Sequence, residues 1–122
     1  MSYTPFGEFV RILRIKNHQV MGDMAKVLDT STPFLSAVEN GKKNVPNGWA
    51  QKICDYYNLD CNEQAELLES IEESKLQYKL ILSNAGTNQR KAALQFARSF
   101  DDMDDETAIK IMELLNNKEE RY

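Results

Sequence analysis

Between Phe6 and Tyr57 the chain carries four successive stripes of apolar residues at helical spacing, each ended by a helix-stopping signal. A span this short holds four helices only as a small all-α bundle. The first stripe is Phe6, Phe9, Val10 and Leu13. Thr4 offers an N-cap and Pro5 a proline at the first helical position, which predicts a helix from about Pro5 to Lys16. The second is Met21, Met24, Ala25 and Leu28, set off by the polar connection Asn17-His18-Gln19. After Asp29-Thr30, Ser31 can cap a third helix with Pro33 in its first turn, Phe34, Leu35 and Val38 on one face, and Asn40-Gly41 as the stop. Pro46 opens a fourth, in which Trp49, Ala50, Ile53 and Tyr57 repeat the spacing as far as Asn58. The second and third helices are both short, the second about two turns.

The spacing is less decisive further on. From a cap at Asn62, Ala65, Leu68 and Ile71 continue helically, but Leu76, Tyr78, Leu80 and Leu82 alternate with polar Gln77 and Lys79. Two readings stay open here: a long helix through Leu82, or a helix ending near Lys75 followed by a short strand over Tyr78 to Leu82. Asn84-Ala85-Gly86 breaks either one. Ala93, Phe96, Ala97 and Phe100 then mark a sixth helix. Asp104 caps a seventh with Asp105 and Glu106 in its first turn and Ile109, Met112 and Leu115 on one face, and residues 117–122 are expected to fray.

Charge divides the chain. Residues 1–61 hold seven basic and six acidic side chains and residues 62–122 eight and thirteen, so +1 stands against −5 in a total of −4. A uniformly basic nucleic-acid coat protein is excluded, and the two parts, 1–61 and 62–122, are expected to do different jobs. No apolar run is long enough to span a membrane, and the opening residues lack the basic and apolar regions of a secretion signal, so the expectation is a cytoplasmic protein with no membrane partner. Cys54 and Cys61 match no redox or zinc spacing, and Cys54 reads as a small buried apolar residue. His18 has no thiol, hydroxyl or carboxylate at motif spacing. Asp101, Asp102, Asp104, Asp105 and Glu106 do not follow the calcium-loop pattern and read as a solvated turn with a helix cap. No catalytic residue, metal site or cofactor is expected.

Two short helices joined by a tight turn are the arrangement that lets the second enter a DNA major groove. Arg14, Ala25, Leu28, Ser31, the run Phe34-Leu35-Ser36-Ala37-Val38-Glu39-Asn40-Gly41-Lys42-Lys43, Pro46, Ile53 and Leu59 carry a closer likeness. Residues 9–59 resemble the helix-turn-helix domain of the Cro/CI (XRE) family of DNA-binding regulators. The resemblance implies a lambda-repressor-like domain followed by a mainly helical C-terminal segment, an Arg14–Glu39 ion pair tying the first helix to the end of the third, and double-stranded operator DNA as partner. It places Thr32, Pro33, Ser36 and Ala37 toward the bases, with Asn40 either reaching a base edge or capping its helix. Ser31, Lys42, Lys43 and Asn44 are assigned to phosphates, where the amides around Gly41 can also contribute. The base-facing side chains are short, fit for thymine methyl contacts and single hydrogen bonds rather than bidentate pairing. Met21 departs from the family, which commonly places a phosphate-contacting glutamine there, so that contact is either lost or passed to backbone amides, with Asn17 or Gln19 as substitutes.

The acidic remainder holds Phe96, Phe100, Ile109, Met112 and Leu115 on helices too short to bury them alone, so they need another surface: the helix-turn-helix core or, the favoured reading, the same segment of a second subunit. The leading expectation is a repressor acting as a dimer or higher oligomer on a two-fold operator. The alternatives are an antitoxin whose acidic part neutralises a toxin protein while the first part represses the operon, and an adaptor that keeps the fold without binding DNA.

Overall fold

In a computed structural model, which describes residues 3–119, the chain is all-α. The elements are α1 (Pro5–Lys16), α2 (Met21–Val27), α3 (Thr32–Glu39), α4 (Trp49–Tyr57), α5 (Cys61–Glu73), α6 (Thr87–Ser99), a 3₁₀ turn (Phe100–Asp102) and α7 (Asp105–Glu119). They form two units, one through Tyr78 and one from Lys79. No helix among the described residues is long and apolar enough to cross a membrane.

The first unit closes around Phe6, Val10, Leu13, Met24, Leu28, Leu35, Val38, Trp49, Ile53, Leu59 and Leu67, all buried. α1 forms as its N-terminal residues dictate: the Thr4 hydroxyl accepts from the Gly7 N–H at 3.1 Å, and Pro5 follows directly. The first three helices end in the same hydrogen-bonded reversal. His18, Asp29 and Gly41 sit at φ 55°, 54° and 80°, and the next residues, Gln19, Thr30 and Lys42, each donate 2.9 Å bonds to Arg14, Ala25 and Ala37 carbonyls. Asn58, at φ 55°, turns the chain out of α4 with Leu59 N–H on the Cys54 carbonyl at 3.1 Å. His18 is thus a helix terminator.

Several expectations are corrected. α4 starts at Trp49 rather than Pro46, because Gly48 adopts φ 91° and turns the chain before the helix can begin. α5 is capped by Asp60, not Asn62: the Asp60 carboxylate accepts from Glu63 N–H at 2.8 Å while the Glu63 carboxylate accepts from Asp60 N–H at 3.1 Å. Its buried side is Leu67 and Ser70 with Ile71 half-buried, whereas Ala65 and Leu68 face solvent. Ser70 is tolerated inside because its hydroxyl donates to the Leu67 carbonyl at 2.7 Å. Of the two open readings of residues 74–82, the long helix through Leu82 fails, and the other holds for its helix end near Lys75 but not for its strand. α5 ends at Glu73 and no strand follows among the described residues, since one alternating segment without a partner strand has nothing to pair with. Instead Leu76 N–H donates to Asn44 Oδ1 at 3.1 Å and the Tyr78 hydroxyl donates to the Glu72 carbonyl.

The first unit also runs past residue 61. α5 lies along α1, contributes Leu67 to the core, and sets Ser74 Oγ where it accepts from Phe6 N–H at 3.0 Å, capping α1 from the far end of the unit. Cys54 is half-buried against the core, and its thiol is pushed up by that burial.

In the second unit, Gln89 Oε1 accepts from Gly86 N–H at 2.6 Å at the start of α6, and Asp104 Oδ1 accepts from Thr107 N–H at 2.8 Å at the start of α7. The Thr107 hydroxyl and amide hold the Asp104 carboxyl below its usual range. Residues 117–119 are helical rather than frayed, and residues 120–122 lie outside the described residues.

Candidate nucleic-acid interface

α3 has a buried face and an open one. Leu35, Val38 and Glu39 are buried, Ser31, Thr32 and Pro33 are exposed, and Ser36 and Ala37 lie between. Phe34 stands edge-on to Trp49 with ring centroids 6.0 Å apart. The Ser31 hydroxyl accepts from Phe34 N–H at 3.2 Å, so it caps the helix as its position indicates. Thr32, Pro33, Ser36 and Ala37 therefore share an accessible side of one helix. Asn40 is engaged differently: its Nδ2 donates to the Ser36 carbonyl at 3.0 Å and more weakly to Ser36 Oγ at 3.4 Å. Of its two expected roles the structure contains the cap.

Lys42 and Lys43 are both exposed, immediately beyond the Gly41 reversal. Asn44 is exposed as well; its carbonyl oxygen accepts from Leu76 N–H at 3.1 Å, and its NH₂ group is the donor that a phosphate would meet. The two replacements for the missing glutamine at Met21 are occupied. Asn17 Nδ2 donates to the Leu13 carbonyl at 2.8 Å; Gln19 accepts from the Tyr57 hydroxyl at 2.6 Å and donates to the Tyr56 hydroxyl at 3.3 Å. The Asp23 carboxylate accepts from Val20 N–H at 2.9 Å, so the start of α2 carries negative charge. Burial pushes the Tyr57 hydroxyl up to about 12, with Tyr56 adding to the shift, so it stays a donor over the ordinary pH range.

What fixes α3 is a buried ion pair. Arg14 Nη1 and Nη2 donate to Glu39 Oε2 and Oε1 at 2.7 and 3.0 Å, and Nη1 also lies 3.3 Å from Met24 Sδ. Arg14 is 6% exposed and Glu39 0%. The fork geometry sets distance and orientation together. Beside it, the Glu39 carbonyl, left open at the end of α3, accepts from both Thr4 N–H and Thr4 Oγ1 at 3.0 Å. Gly7 makes this approach possible, since a Cβ there would sit 2.3 Å from that oxygen. Neither Gly7 nor Thr4 is marked by apolar periodicity as part of the site; the signal for Gly7 is a glycine kept inside a helix, where it costs about 1 kcal/mol relative to alanine.

An open cleft of about 700 Å³ between α2 and α4 sets Lys26 and Lys52 against Asp23 and Asp55, with Gln19 and Tyr56 beside them. In the second unit the residues expected to assemble subunits, Phe96 and Phe100 near α6's end and Ile109, Met112 and Leu115 on α7, are all exposed, the two phenylalanine rings 5.9 Å apart. Among the described residues no three His, Cys, Asp or Glu side chains come together as a metal site. No family model, curated protein or solved structure matches the chain.

Proposed function

We propose that the chain is a sequence-specific DNA-binding regulator of transcription of the Cro/CI type, a repressor that occupies an operator by placing α3 in the major groove. The observation that carries this reading is the division of α3: one side locked by the Arg14–Glu39 fork and the Thr4–Glu39 carbonyl bonds, the other open along Thr32, Pro33, Ser36 and Ala37 and ending in two exposed lysines. A helix presented rigidly and flanked by cations suits groove insertion with phosphate anchoring. Phosphate contact falls to Lys42, Lys43 and the amides around Gly41, because the start of α2 is acidic. With short side chains toward the bases, sequence preference draws on thymine methyl contacts, single hydrogen bonds and DNA shape.

The test is a binding titration on the duplex upstream of the chain's own gene, with a random duplex as control, at several salt concentrations. Ser36→Glu puts a carboxylate into the groove and should abolish binding with the fold intact. Lys42→Ala should weaken binding to both duplexes and lower the slope of log K against log salt by about one per subunit. Folded protein that binds neither duplex at low salt, or Ser36→Glu protein that binds normally, favours the adaptor reading, which the short side chains of the open face also support.

A further inference from the structure

In the first unit α1 and α5 lie side by side and antiparallel: Lys16, ending α1, lines one depression with Glu63 and Glu66, while Pro5 shares another with Glu69 and Glu73. The two depressions, of about 340 and 350 Å³, adjoin along the helix pair and are both floored by Phe9 and Ile12. Along α1 the first is lined from Phe9 to Lys16 and the second from Pro5 to Ile12, an offset of four residues, or about 6 Å. Phe9 is half-buried against the core and Ile12 is 53% exposed, so the floor of this groove is apolar and open to water.

The rim says what fits. Glu8 from α1 and Glu63, Glu66, Glu69 and Glu73 from α5 stand around the groove, against the single cation Lys16. Among the described residues no ion pair engages any of these five carboxylates, although three pairs form elsewhere in the chain. Like charges aligned in this way repel one another, and a cationic partner relieves them. The floor selects the partner's shape. Two depressions one helical turn apart match apolar anchors at i and i+4 of a docked helix, whereas an extended peptide alternates its side chains and needs a sheet edge, which two helices do not offer. α6 of this chain is basic as well but lacks the pattern. Its Phe96 turns toward Thr107 and Ile111 of α7, while Lys91, Leu94 and Arg98 share another side with one apolar residue among them.

We propose that the α1–α5 groove docks a basic amphipathic helix of a different protein, with apolar anchors at i and i+4 in the two depressions and Lys or Arg side chains over the glutamates of the rim. No residue lining the groove belongs to α2 or α3, so this surface is separate from the candidate nucleic-acid interface and stands without the regulator reading.

The experiment is fluorescence anisotropy of a labelled four-turn helical peptide of leucine and lysine, with leucines at i, i+3, i+4 and i+7, titrated with the full chain at physiological salt. Saturable one-to-one binding at micromolar concentration is expected, and the same peptide with glutamate in place of lysine should not bind. Ile12→Gln, which takes away exposed floor, and the pair Glu66→Lys with Glu69→Lys, which reverses the rim, should each weaken binding at least tenfold. Ile12, Glu66 and Glu69 are all exposed, so these variants should keep the native urea midpoint. Asp101→Lys with Glu113→Lys changes the total charge by the same amount in the second unit and should leave binding within twofold. Loss of binding there as large as in the rim pair would mark charge attraction alone and overturn the proposal. A native chain that binds no peptide, or binds the glutamate peptide equally well, overturns it too. Binding that emerges only in Lys91→Glu with Arg98→Glu would assign the groove to the chain's own α6, and binding that emerges only as the chain is diluted would assign it to a second copy; either result overturns the proposal.

Discussion

Removing either member of the Arg14–Glu39 pair should be among the most destabilising single changes the first unit can suffer. Arg14→Ala leaves the Glu39 carboxylate at 0% exposure without its guanidinium, and Glu39→Ala leaves a 6% exposed guanidinium with the Met24 sulfur as its side-chain contact. Stranding one charge of a buried pair costs about 3 to 5 kcal/mol. A unit of this size has about 4 to 11 kcal/mol in total at the usual stability per residue, so each single variant should lose half its stability or come close to unfolding. The double variant, with no stranded charge, should lose less than the sum of the two, giving a coupling energy of about 2 to 4 kcal/mol. Trp49 is the only tryptophan and is buried in this core, so its fluorescence during urea unfolding reports the transition directly. If Arg14→Met combined with Glu39→Met is nearly as stable as the native chain while either single change is severe, the cost lies in the stranded charge. A coupling energy near zero would refute the reasoning.

Gly7→Ala should destabilise by about 1 to 3 kcal/mol despite the gain in helix propensity, because the new methyl meets the Glu39 backbone, whereas Gly22→Ala, with open space around it, should stabilise by up to about 1 kcal/mol; urea midpoints compare the two. His18→Gly should raise the thermal midpoint, since it relieves a left-handed backbone costing about 1 to 2 kcal/mol and glycine's extra chain entropy takes back only part of this. Tyr57 is held neutral in the fold, so its contribution is complete below about pH 10, the ordinary tyrosine value, and is lost as pH rises through about 12; alkaline unfolding of Tyr57→Phe should lack that component of the slope.

Much of the fold was legible because its signals are local. Thr4-Pro5 and Ser31 mark the starts of α1 and α3, and Asn40-Gly41 marks the end of α3, each through a backbone hydrogen bond supplied or a conformation permitted within a few residues. What was not legible depends on distant partners. The buried side of α5 is chosen by its docking on α1, which takes in Ser70 and leaves Leu68 out, and no count of apolar residues within α5 reveals that. The alternation from Leu76 to Leu82 carries strand spacing without a strand to pair with. At the candidate site, the short side chains along α3 and the Arg14–Glu39 pair were expected, the pair through family resemblance. The dual use of Thr4 and the close approach at Gly7 involve the backbone of Glu39, 35 residues from Thr4, and leave no periodic trace.

Ser74 capping Phe6 across 68 residues of sequence has a consequence for synthesis. A chain emerging from the ribosome presents α1 to α4 first, with most of their turns formed by neighbours in sequence. Until Leu67 and Ser74 emerge, Phe6 lacks its hydrogen bond and the core its last wall. α3 can therefore be made long before it is held, and a growing chain should become resistant to protease only once the segment through α5 has cleared the exit, as domains fold in whole units during translation.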